Sequence, residues 1–174
     1  MSTRHYTLTA TKRERAGKGV ARALRRENKT PAVVYGDHKD ALTIALDENA
    51  LNLEYRKGHM FTSLCDLDVE GQKQLVLVRD VQTHPVTDNV IHADFLRVTP
   101  RTKTAVLVPV HFTGEEDCPG IRENGSLSIQ RYEIELLCTA TEIPDHIDVS
   151  IAGKNIGDAI KISDVKLPAG TKPV

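Results

Sequence analysis

The chain has 174 residues, of which 40% are hydrophobic, 27% charged and 4% aromatic, and its formal net charge is −1. That composition fits a globular protein of one or two domains and leaves no low-complexity tract to explain. No apolar run approaches the roughly 20 residues of a transmembrane helix, and the first residues lack the apolar stretch of a secretory signal, so a cytoplasmic protein with no membrane partner is expected.

The first predicted element is a helix that begins near Gly19 and ends by Asn28. Val20, Ala21, Ala23 and Leu24 give it an apolar stripe, and Arg22, Arg25, Arg26 and Lys29 lie on the other side. Thr30-Pro31 stops it. Strands are expected at Ala32-Val33-Val34-Tyr35, which ends in Gly36, and at the alternating Leu42-Thr43-Ile44-Ala45-Leu46. A second helix is predicted from the N-cap candidate Asp47 through Ala50, Leu51 and Leu53 to about Lys57, closed by Gly58. Leu75-Val76-Leu77-Val78 reads as a short buried strand. Asp80-Val81-Gln82-Thr83-His84-Pro85 and His92-Ala93-Asp94-Phe95 read as a hairpin turned at Val86-Thr87-Asp88-Asn89.

The polar, proline-containing Thr99-Pro100-Arg101-Thr102-Lys103-Thr104 has the composition of a linker, which divides the chain into residues 1–98, a link at 99–104 and residues 105–174. Beyond it, Ala105 to Phe112 is a strand in which Pro109 predicts an edge or bulged position. A turn-rich stretch from Gly114 to Gly125, a strand from Leu127 to Leu137, the alternating Ile147-Asp148-Val149-Ser150-Ile151 and a frayed tail from Leu167 complete the reading. Cys65, Cys118 and Cys138 are few, odd in number and far apart, and predict reduced, packed thiols rather than disulfides.

The near-neutral total hides a division of charge. Residues 1–30 carry nine Lys or Arg against two Glu, net +7, whereas residues 31–98 come to −5 and residues 99–174 to −3. Lys12, Arg13, Arg15, Lys18, Arg22, Arg25, Arg26 and Lys29 surround the Gly17-Lys18-Gly19 turn. Such cations repel one another, and a polyanion relieves that repulsion within a Debye length of about 8 Å. The segment is not a nucleotide-triphosphate loop, because Lys12 stands where the leading glycine belongs and Gly19 where Ser or Thr belongs. The bland alternative is a solvated charged helix.

On the hairpin, Gln82 and His84 share one face in extended conformation, as do His92 and Asp94. Donors of that kind suit phosphates or 2′-hydroxyls, and a carboxylate among phosphates suits a base edge instead. The competing readings are histidines that cap strand ends, or a metal or acid-base pair. Neither a nucleophile beside a base motif, nor a zinc-type His/Cys spacing, nor a dinucleotide fingerprint is present, so no enzyme, metal, cofactor or small-molecule substrate is expected. Tyr35 is the one aromatic residue next to the basic helix, which argues against a stacking reader of single strands and for a folded, duplex-like nucleic acid. Charge and spacing alone do not separate RNA from DNA.

Arg13 to Gly36, with Gly17-Lys18-Gly19, Arg22, Leu24-Arg25, Asn28 and Pro31-Ala32-Val33-Val34-Tyr35-Gly36, resembles the large-subunit ribosomal protein number twenty-five family, as do Asp80-Val81-Gln82, His84-Pro85 and His92 to Val98. Val108 to Phe112, Ile143-Pro144-Asp145-His146-Ile147, Ile156-Gly157-Asp158 and Leu167-Pro168 resemble the extra domain of its longer Ctc, or general stress protein, form. The resemblance implies a mainly β protein: a six-stranded β-barrel similar to the anticodon-binding region of glutaminyl-tRNA synthetase, followed by a mostly β second domain. It also implies a structural, rRNA-binding role in the large ribosomal subunit, with 5S ribosomal RNA as partner and neighbouring ribosomal proteins beside it. Carried onto this chain, Arg13, Lys18, Arg22 and Arg25 would meet the RNA backbone and groove, with Tyr35 nearby and Gln82, His84, His92 and Asp94 on the barrel surface. The alternative is a stress-related protein-interaction module that the basic segment merely attaches to the ribosome.

Overall fold

The computed structural model describes residues 5–13, 17–168 and 170–173. Six strands close into a barrel in the order β1-β3-β2-β6-β5-β4: β1 (His5–Lys12), β2 (Lys29–Gly36), β3 (Lys39–Asp47), β4 (Leu64–Val69), β5 (Gln72–Thr83) and β6 (Val90–Arg97). Two pairings are parallel, β1 with β4 and β2 with β6. Alternation drives the closure. In β6, Ala93 and Phe95 point inward and are fully buried, while His92 and Asp94 point outward and are half-buried. Leu8, Ala10, Val34, Ile44, Leu67 and Val76 fill the interior around Phe95.

Helix α1 (Lys18–Arg26) lies between β1 and β2, and α2 (Glu48–Arg56) follows β3. Asp47 caps α2 as its side chain accepts from the Ala50 N–H at 2.9 Å, and Gly58 beyond its end adopts φ 74°. Leu51 from α2 is fully buried and joins the barrel core. Tight turns join the antiparallel neighbours: Asp37 and His38, at φ 59° and 52°, connect β2 to β3. Gly36 precedes that turn at φ 101°, where a Cβ would come 2.9 Å from Leu96 Cδ1, so the position requires glycine.

The second sheet has the order β10-β8-β7-β9, formed by β7 (Lys103–Thr113), β8 (Glu133–Thr139), β9 (Ile147–Ser150) and β10 (Lys172–Pro173). Contrary to the expectation for Pro109, β7 is a central strand. Its ladder to β8 ends at the pair Pro109↔Glu133, and its parallel ladder to β9 begins one residue later at Val110↔Ile147. The proline occupies the handover between two half-ladders, where its missing N–H costs least. The strand expected from Leu127 is shorter, since β8 starts at Glu133, and the expected frayed tail instead contributes β10, paired to β8 at Leu137 and Leu136.

Within the expected link, residues 99–102 form a turn: Thr102 N–H donates to Thr99 O at 2.9 Å, and Thr99 N–H to Thr102 Oγ1 at 3.0 Å. The outer faces of β4 and β5 also matter here. Leu64 and Leu77, together with Val98, pack into one buried cluster with Val106, Val108, Leu136, Ile147 and Val149 of the second sheet. All three cysteines are free and buried.

Candidate nucleic-acid interface

Helix α1 begins at Gly17, whose φ of 141° and empty Cβ position let the chain turn into the helix, and Ala21 N–H bonds back to Gly17 O at 3.0 Å. No acidic side chain stands in its first turn, its N-cap Gly17 offers no side chain to cap the first N–H groups, and Arg25 and Arg26 sit in its last turn, where cations favour the helix dipole. None of its residues is buried. Val20, Ala21 and Leu24 are half-buried, while Lys18, Arg22, Arg25 and Arg26 are exposed. The helix ends at Arg26, inside the expected limit of Asn28, which takes a left-handed φ of 56° and leads into β2.

Arg25 ties this helix to the barrel. Its Nη2 donates to the Ile91 carbonyl at 2.8 Å, one residue before His92. At the same barrel end Thr30 Oγ1 donates to Val90 O at 3.2 Å, and Val90 N–H donates to Asn52 Oδ1 at 2.8 Å, which fixes the start of β6 to β2 and α2. Arg15 lies outside the described residues.

Arg13 extends β1 by one residue: its N–H donates to Thr43 O at 2.9 Å and its carbonyl accepts from Thr43 Oγ1 at 2.8 Å. Thr43 is opposite Val33, and Val33 is opposite Asp94, so Arg13 and Asp94 mark two points along one row across the barrel wall. Among the described residues the buried Arg13 Nε has no hydrogen-bond partner, and burial lowers the pKa of its guanidinium.

The outer face of β2, β6 and β5 carries Tyr35, His92, Asp94 and Gln82. Gln82 is the register partner of His92, and His92 Nδ1 stands 3.2 Å from Asp94 Oδ1. Asp80 faces Asp94 directly across the ladder, two carboxylates that repel phosphate at that spot. Burial raises the Tyr35 phenol pKa, the nearby Asp94 and Asp80 raise it further, and Arg79 opposes them. Tyr35 therefore stays a protonated donor. Arg79, missing from the expected set, reaches this face because β5 bulges between Val78 and Asp80, an irregularity that plain alternation does not reveal. Its Nη1 donates to Ala105 O at 2.5 Å.

His84 stands apart from the strand face. Its Nδ1 accepts from the N–H groups of Val86 and Thr87 at 3.2 and 3.4 Å, and its own N–H donates to Asn89 O at 2.8 Å, so it organises the β5–β6 turn. What the fold brings together is a cationic helix and a mixed polar wall meeting at the first residues of β6.

The Ribosomal L25p family model matches residues 8–95, and the model for the ribosomal protein TL5, C-terminal domain, matches residues 103–174. The large ribosomal subunit protein bL25 of Novosphingobium aromaticivorans is 50% identical over 165 residues, 95% of this chain and 81% of the relative. The bL25 protein of Mesorhizobium japonicum is 47% identical over 174 residues, 100% of this chain and 82% of the relative. That of Rhodospirillum rubrum is 44% identical over 169 residues, 97% and 80% of the two chains.

Proposed function

The chain belongs to the ribosomal L25p family and is a structural component of the large ribosomal subunit, not an enzyme, and we propose that within the subunit it binds 5S ribosomal RNA through α1 and the barrel face of β2, β5 and β6. Its place of work is the ribosome in the cytoplasm. In this reading residues 1–98 are the RNA-binding unit, residues 99–104 the link, whose last two residues already open β7, and residues 105–174 the second unit.

The observation that carries this reading is a nine-residue helix with no buried side chain and four exposed cations. Short helices are marginal in water unless packing supports them. This one is held to the barrel by half-buried contacts and the Arg25 bond, and a polyanion laid along Lys18, Arg22, Arg25 and Arg26 supplies the rest. Arg13, at the end of β1 next to this helix in sequence, adds a further cation to the same end of the chain. Asp94 and Asp80 repel backbone, so this part of the wall suits donors on base edges, with Tyr35, Gln82 and His92 serving acceptors and 2′-hydroxyls.

Filter binding of 5S RNA across a salt series tests it. Neutralising about five phosphates predicts log affinity falling against log salt with a slope of about −4, and a flat response removes the mechanism.

A protein-facing role for the second unit is the competing reading, favoured by Leu107 and Tyr132, which are 50% and 67% exposed. Leu107→Asp that spares RNA binding yet loosens association with the assembled subunit would favour it.

A further inference from the structure

His111, His146 and Asp148 meet on the second sheet, far from the basic helix in sequence and outside the barrel. Parallel pairing of β7 with β9 sets His111 opposite Asp148. His146 immediately precedes β9 and stands two residues before Asp148, so an extended chain puts both on one side. The two imidazole rings stack with centroids 4.6 Å apart and planes inclined by 17°. His146 Nε2 lies 3.5 Å from Asp148 Oδ1, and one donor atom from each of the three residues falls within 4.8 Å of the others. All three side chains are exposed.

We propose that His111, His146 and Asp148 form a binding site for a divalent transition-metal ion of the zinc class. Two imidazole nitrogens and one carboxylate oxygen are the donors such ions select, whereas calcium and magnesium require more oxygens. Metal–ligand bonds of about 2.0–2.2 Å in a tetrahedron place ligand atoms about 3.3–3.6 Å apart. The His146–Asp148 pair already stands at that distance, and His111 closes the remainder by rotating an exposed ring, with no change in the paired backbone. The fourth position opens to solvent for water. The ion would also bridge β7 to β9, a strand of only four residues held on one side. The sequence shows no zinc-type cluster because the ligands come from distant segments that only the parallel ladder unites.

The experiment is calorimetric titration of the tag-free full chain with Zn²⁺, followed by Co²⁺ absorption spectroscopy. Binding of one ion per chain in the micromolar range is expected, weakened about tenfold or more by His111→Gln, His146→Gln or Asp148→Asn and untouched by His38→Asn in the β2–β3 turn. Co²⁺ should give intense tetrahedral d–d bands that Zn²⁺ abolishes and that His146→Gln never develops. Saturating Zn²⁺ should raise the thermal midpoint of the wild-type chain and leave that of His146→Gln unchanged. Lack of saturable binding at sub-millimolar Zn²⁺, or binding that survives both histidine substitutions, would overturn the proposal.

Discussion

The guanidinium of Arg25 donates a 2.8 Å hydrogen bond to the carbonyl of Ile91, and through it the basic helix is fastened to the strand that presents His92 and Asp94. Arg25 thus supplies orientation as well as charge. Arg25→Ala should weaken 5S RNA binding by about tenfold and speed amide exchange across residues 20–26, because it removes a charge-assisted bond worth about 1–2 kcal/mol at a partly solvated site. Arg25→Lys keeps the charge without the planar fork and should recover only part of both losses.

Arg22 is exposed on the same helix. Arg22→Ala should lower affinity for cognate and unrelated RNAs alike and reduce the salt slope by about 1, as expected for one lost phosphate contact. A loss confined to the cognate RNA would instead make Arg22 a base reader.

Asp94 holds His92 at 3.2 Å and faces Asp80. Asp94→Ala should therefore leave binding to non-cognate RNA unchanged or slightly stronger while eroding preference for the cognate 5S segment by about 1–3 kcal/mol. Competition binding between the two RNAs reads that difference directly.

Inside the barrel, burial raises the Tyr6 phenol far above its ordinary value, and burial pushes the Cys65 thiol up to about 12 from its usual 9.0. The unfolded chain sheds these protons from about pH 9 upward, while the folded chain keeps them. Stability is thus complete below pH 9 and falls as pH rises, by about 1.4 kcal/mol per pH unit for each group whose unfolded form has ionised. Urea unfolding between pH 8 and 11 should show that decline, and Cys65→Ala should make its first part shallower.

Leu77 points out of the barrel into the cluster shared with Val106, Val108 and Leu136, and it is 2% exposed. Leu77→Ala should cost about 2–5 kcal/mol and loosen the second sheet as well as the barrel, visible as faster exchange in β7 and β8. Exchange changes limited to β4 and β5 would show the two cores to be independent.

How far the sequence discloses this molecule depends on whether the information is local. Helix α2 is legible because Asp47 and Gly58 mark its two ends, and β2 and β3 because their alternation is clean. Strands β1 and β4 escape a residue-by-residue reading. In β1 the buried Leu8 and Ala10 alternate with threonines, and β4 reads as Leu64-Cys65-Asp66-Leu67-Asp68-Val69; only the family resemblance supplies the count of six. Pro109 misleads because a ladder can change partners within one strand. The pairing of His92 with Asp94 follows from spacing, but the intrusion of Arg79 through a bulge and the meeting of His111 with His146 are products of tertiary register.

The barrel's strand order sets a schedule for biosynthesis. Helix α1 is translated early, but the carbonyl that receives Arg25 belongs to the last stave of the barrel, which lies between β2 and β5. A nascent chain short of β6 has neither a closed wall nor a docking point for that helix. The finished patch is therefore withheld until the entire first unit has been made, so a truncated product offers loose cations but not the assembled surface.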